Sequence, residues 1–138
     1  MAAWQACVHV VLPSGELPSD YARRLARVLP VGRHWRSGGE RWGVEDGDMI
    51  DVSAEPPAEV WVRFDLRHWR PDLYERFVAF VHDIGGGLRD AETDADVAVT
   101  ATALMDWLRD SRAARFVRDP RAYLSALRTD PIDKPDQP

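Results

Sequence analysis

The chain has 138 residues, a net charge of −5 and one cysteine, Cys7. That length suits a single domain able to bury about two-thirds of its unfolded surface, and a lone thiol excludes an internal disulfide framework. The acidic balance argues against a generic nucleic-acid binder, and no apolar run approaches the roughly 18 residues of a membrane span.

No basic or apolar leader opens the sequence, and with one unpaired thiol a reducing cytoplasm is the expected setting. All but Lys134 of the 18 Lys and Arg residues are arginine. With the many alanines and prolines, that bias points to a GC-rich bacterial genome. Arginine nevertheless brings a planar fork suited to carboxylate and phosphate partners.

Trp4 to Leu12 (WQACVHVVL) alternates Trp4, Ala6, Val8, Val10 and Leu12 against Gln5, Cys7, His9 and Val11. Period two marks a half-buried strand, which Pro13-Ser14-Gly15 ends. "PSDYARRLARVLP" offers Ser19 or Asp20 as N-cap and sets Tyr21, Leu25, Val28 and Leu29 along one helical stripe before Pro30. Between Trp35 and Trp42, Gly38-Gly39 signals a hairpin. Met49, Ile50 and Val52 form a further short strand after the turn "EDGD".

Val60 to Arg67 is the clearest strand, with Val60, Val62, Phe64 and Leu66 on one side and Trp61, Arg63, Asp65 and Arg67 on the other. Pro71 fits a first helical position. Leu73, Phe77, Phe80, Val81 and Ile84 then continue one apolar stripe, which Gly85-Gly86-Gly87 closes. Leu88 to Asp90 makes a short strand. Thr93-x-x-Asp96 resembles a capping box, so a helix is expected to follow through Val97, Ala101, Leu104, Met105 and Leu108. The β-branched residues among 97–102 pull toward strand instead. Asp119-Pro120 opens a last helix carrying Tyr123, Leu124 and Leu127, and residues 129–138 read as a loose tail.

The element order matches an α+β domain over residues 1–128. Specifically, it suggests a ferredoxin-like β-α-β-β-α-β antiparallel sheet with two helices on one face and a helical C-terminal extension. The opposite face then meets water, a partner, or those terminal helices.

No catalytic, metal or cofactor motif emerges. The acidic run Asp90, Glu92, Asp94, Asp96 places Ala95 and Ala101 where a calcium loop needs Gly and Glu. His9, His34, His68 and His82 lack ligand spacing, and Cys7 lies among apolar residues where a thiol is a buried spectator. The triple glycine follows a helix, whereas phosphate-binding loops precede one.

What stands out is indole beside guanidinium or imidazole. Trp35, Trp42, Trp61, Arg63, Asp65, Arg67, His68 and Trp69 are the candidate partner-binding set, since Trp and Arg dominate binding hot spots. The same residues also suit intramolecular stacking or a core roofed by the terminal helices.

Charge and elimination favour a non-enzymatic protein-interaction module. A toxin-neutralising, immunity-type partner is one such role, and a basic protein is the target that the net charge would steer. Homodimerisation through an uncovered sheet is a further expectation. The alternative is a small enzyme or ligand-binding domain with a pocket between sheet and C-terminal helices, using Arg63, Asp65, Arg67 and His68. Nucleic acid ranks last, and a membrane partner is not expected.

Overall fold

A computed structural model describes residues 1–34 and 39–128 of the chain. The alternating N-terminal run forms β1 (Gln5–Val11), and the stripe before Pro30 forms a short α1 (Tyr21–Ala26). Next come β2 (Val31–His34), β3 (Gly39–Gly43), β4 (Met49–Ser53) and β5 (Glu59–Asp65). After α2 (Pro71–Asp83), the chain adds β6 (Gly87–Asp90), β7 (Asp96–Val97), α3 (Ala101–Arg109), α4 (Arg112–Arg118) and α5 (Pro120–Arg128). The strands lie in one seven-stranded sheet of order β2-β3-β4-β5-β1-β6-β7. All neighbours are antiparallel. The protein is therefore α+β, and the sheet has three more strands than a β-α-β-β-α-β unit.

Register explains why one face is apolar. Ala6 pairs with Phe64, Val8 with Val62 and Val10 with Val60 across β1 and β5, and β4 adds Ile50 and Val52. Helix α2 lays Leu73, Tyr74, Phe77, Val78, Phe80 and Val81 on this face. The Phe64 ring meets Tyr74 and Phe77 edge-on, at 5.3 and 5.4 Å between ring centres. Burying each aromatic ring contributes about 2–3 kcal/mol, and each edge contact about 0.5–1.5 more.

Helix α3 joins α2 on that side. Leu104 and Leu108 of α3, with Ala113 and Ala114 of α4, share one core with Val8, Val60, Phe64 and Leu88. Their apolar stripes need an apolar surface, and only the Val-rich face offers one. Helix α5 follows through the edge-on contact of Tyr123 with Phe116. Among the described residues, α1, α2 and α3 thus pack on one face of the sheet, while α4 docks against the end of β1 and α5 against α4.

The triple glycine is a helix stop. Gly85 takes φ 70°, and its N–H reaches the carbonyl of His82 while that of Gly86 reaches Val81. Those two bonds make a Schellman motif, which satisfies the last carbonyls of α2.

One expectation fails at Thr93. The capping-box reading placed a helix directly after it, but Asp90 Oδ1 accepts the N–H groups of Glu92 and Thr93, and Thr93 Oγ1 accepts that of Ala95. These bonds curl residues 91–95 into a hairpin turn, with Asp94 at φ 64°, and Arg89 then pairs with Asp96. Local side-chain bonds of this kind compete with helix, and β-branched Val97 suits the strand that results. The helix begins four residues later, capped by Thr100 Oγ1 accepting from Ala103 N–H. The turn of the β2–β3 hairpin at Gly38 and the tail 129–138 lie outside the described residues.

Thr100→Ala should lower unfolding free energy by about 1 kcal/mol, the worth of a helix N-cap. Thr93→Ala should stay within about 0.5 kcal/mol, as exposed turn substitutions do. Urea denaturation of the two variants checks the assignment, and the reverse ranking would restore a helix start at Thr93.

Candidate partner-binding face

Alternation in β1 and β5 sends Gln5, Cys7 and His9 to the side opposite the helices, together with Trp61, Arg63 and Asp65. In register, Gln5 faces Asp65, Cys7 faces Arg63 and His9 faces Trp61. Strand β4 extends the rows, with Met49 beside Arg63 and Asp51 beside Trp61. Arg41 of β3 lies opposite Asp51, and Arg89 of β6 lies opposite His9.

At the centre of this face the His9 imidazole stacks on the Trp61 indole, with 4.3 Å between ring centres and planes 20° apart. Trp61 Nε1 donates to Glu59 Oε2 at 3.3 Å, and the residue remains 36% exposed. Next to it, Arg63 Nη1 approaches Met49 Sδ at 4.0 Å, and Met49 is itself fully buried. Burial pushes the Cys7 thiol above its ordinary pKa, and Arg63 pulls it only partway back. A thiol held neutral in this way is a poor nucleophile at pH 7. On the far side, Arg41 donates from Nε to Asp51 Oδ1 at 2.7 Å.

One end of the face is closed by a polar latch. The β3–β4 turn needs Gly43 at φ 90°, where a Cβ would stand 2.2 Å from the carbonyl oxygen of Asp48. The turn carries Asp48 to the start of the β5–α2 loop, where its Oδ1 accepts the Asp65 N–H at 2.7 Å. Asp65, 3% exposed, accepts from Arg67 Nε on Oδ1 at 3.0 Å and from Nη2 on Oδ2 at 2.9 Å. That paired fork compensates a buried carboxylate.

The Arg67 guanidinium carbon also stands 4.1 Å from the centre of the Trp4 ring. Trp4 Nε1 and Gln5 Nε2 tie the turn back to β1 through the carbonyls of Asp46 and Gly47. Burial raises the Asp48 carboxyl above its ordinary value, with the Asp65 N–H and Arg70 opposing.

The sequence-derived set is therefore dispersed. Trp61 and Arg63 share the open face, and Asp65 lies in the same row but is enclosed by the latch. Arg67 and His68 are exposed in the loop beyond it. Trp42 belongs to the core, 1% exposed and edge-on to Tyr21 of α1. The reason is strand order: β4 separates β3 from β5, so Trp42 follows Ile50 and Val62 to the helix side. Trp69 also stands with the helices, 5.1 Å from the Tyr74 ring centre and beneath Arg109 of α3. Trp35 lies outside the described residues.

His9, Met49, Asp51 and Arg89 join the face although they stand outside the partner-binding set expected from sequence. For His9 the signal was present in the period-two pattern around Cys7, but its contact with Trp61 depends on β1–β5 register.

A hollow of about 270 Å³ does lie between β1 and the α3–α4 segment, lined by Cys7, Asp90, Trp107, Ser111 and Arg112 among others. Arg63, Asp65, Arg67 and His68 do not line it, so that enzymatic quartet is not assembled there. Among the described residues no cluster of His, Cys, Asp or Glu is arranged to hold a metal ion, and no helix is long and apolar enough to cross a membrane. Comparison with protein-family models, curated proteins and solved structures finds no match to the chain.

Asp48→Ala should cost about 1–3 kcal/mol by leaving the Asp65 N–H unsatisfied, whereas Asp48→Asn keeps an acceptor and costs less. Because the folded Asp48 pKa is raised above the ordinary 3.8, its contribution is fully present below 3.8 and declines as pH rises through the folded value. Wild type should accordingly lose ground relative to Asp48→Asn over that rise. Urea titrations at several pH values check the sign, and a gain for wild type over the same interval would refute it.

Proposed function

We propose that this chain is a cytosolic protein-interaction module that receives a partner protein on the open face of its sheet, in the manner of a toxin-neutralising protein. The observation that carries this reading is Trp61. It stands on β5, the fourth of seven strands, more than a third exposed and stacked on His9, while α1, α2 and α3 pack behind the sheet. An indole held rigid by a stacked neighbour offers large contact area with little ordering entropy to lose, which is how binding hot spots are built.

The dimensions suit a partner. At about 3.3 Å per residue along each strand and about 4.8 Å between strands, seven strands of 2 to 7 residues give a footprint on the order of 500 Å², the size that a small, transient interface contributes on each side. Carboxylates stand around the face: Glu59 is exposed beside Trp61, and Glu45, Asp94 and Asp96 keep 74, 84 and 86% of their side chains in solvent. With a net charge of −5, they would steer a basic protein toward the sheet.

The finer fold reading belongs with this proposal. We read the order β4-β5-β1-β6, with α1 following β1 and α2 joining β5 to β6, as a ferredoxin-like unit. In that reading the β2–β3 hairpin widens one edge and β7 the other, enlarging the open face.

The test is affinity capture from a lysate of the producing cells on immobilised wild type and Trp61→Ala. One dominant basic protein should bind wild type, lose about 30-fold in affinity on the variant, as for a hot-spot tryptophan worth 2 kcal/mol, and associate more slowly as salt rises. Equal capture by both proteins, or none by either, would refute the reading. A dimer of the isolated chain that Trp61→Ala dissociates would identify the occupant as a second copy instead.

A further inference from the structure

Resting on that reading of the open face, the geometry points to Arg63 as the docking point for a carboxylate of the partner. It fits a protein that presents an Asp or Glu next to an apolar or aromatic side chain. The neighbouring guanidinium groups are engaged within the chain. Arg41 is bound to Asp51, Arg89 lies within 3.7 Å of Asp94 and 3.4 Å of Asp96, and Arg67 forks Asp65.

Arg63 differs. Among the described residues it pairs with no carboxylate, and its neighbours are two sulfur atoms, Met49 Sδ at 4.0 Å and the Cys7 thiol. Its Nε is enclosed and meets no acceptor, yet the residue as a whole is only half-buried. Among the described residues no oxygen acceptor meets its terminal Nη groups, and a bidentate carboxylate can bridge two such donors.

Position narrows the partner's chemistry. Trp61 stands two residues along β5 on the same face, about 7 Å away at strand spacing. That separation matches a carboxylate and an apolar side chain on alternate positions of an extended segment. Glu59 and Asp51 flank the pair in register and would repel a dianion such as phosphate more than a singly charged carboxylate. Carboxylates at the periphery and one unpaired guanidinium at the centre describe the complement of a basic surface bearing a single acidic residue.

Panning a phage-displayed library of random twelve-residue peptides on wild type tests this directly, with Trp61→Ala, Arg63→Gln and Arg63→Lys as comparison proteins. The peptides that depend on Trp61 should carry Asp or Glu within a few residues of Trp, Phe or Leu. Arg63→Gln should weaken them about tenfold or more, and Arg63→Lys by less, since it keeps charge without the fork. Changing the peptide's acid to its amide should then cost nothing further on Arg63→Gln, because the two changes remove one interaction.

Trp61-dependent peptides without an acid, or with full affinity for Arg63→Gln, would overturn the inference and leave the docking face standing. Peptides indifferent to Trp61→Ala would remove both. Thermal unfolding of the variants separates lost binding from lost folding, and the same cycle on Arg63→Lys serves should Arg63→Gln unfold.

Discussion

The pleat of β1 and β5 is the constraint on which the rest of the molecule hangs. Val8, Val10, Val60, Val62 and Phe64 point one way because they occupy alternate positions, and antiparallel register sets them side by side. Each helix with an apolar stripe must bury it there, since the opposite positions hold Gln5, Cys7, His9, Trp61, Arg63 and Asp65. A one-residue slip would turn valines to solvent and polar residues to the helices, so the register is strongly held. The open face is the geometric remainder of that commitment.

Polar groups on the remainder are treated in two ways. At one end the chain satisfies them itself: Asp48 receives the Asp65 N–H, Arg67 forks Asp65, and Gln5 and Trp4 grip the carbonyls of the 44–48 turn. The latch joins three segments distant in sequence and keeps an otherwise costly buried carboxylate compensated. At the centre the chain leaves more undone, with Arg63 facing sulfur atoms and Trp61 partly in solvent. The same residue types thus form a completed network at one end of the face and an incomplete one at its centre.

Much of this was legible from residues alone. Strand and helix identity followed local periodicity at Gln5–Val11, Glu59–Asp65 and Pro71–Asp83, and Gly85 marked the end of α2 because a left-handed residue suits glycine there. Thr93 misled because a threonine three residues before an acid serves a helix cap or a turn equally well. The choice lay with Asp90, whose carboxylate bound the turn's N–H groups first.

Alternation, a property of neighbours in sequence, was enough to divide β1 and β5 into two sets of side chains and to isolate Trp61 with Arg63. It could not assign Trp42, which needed β4 to come between β3 and β5, or Trp69, which depends on where α3 brings Arg109. Nor did it unite His9 with Trp61, partners 52 positions apart that meet only through β-pairing. Local backbone geometry dictates which residues share a side of a strand. Which strands lie together, and which side the helices take, follows from burying apolar surface contributed by the whole chain at once.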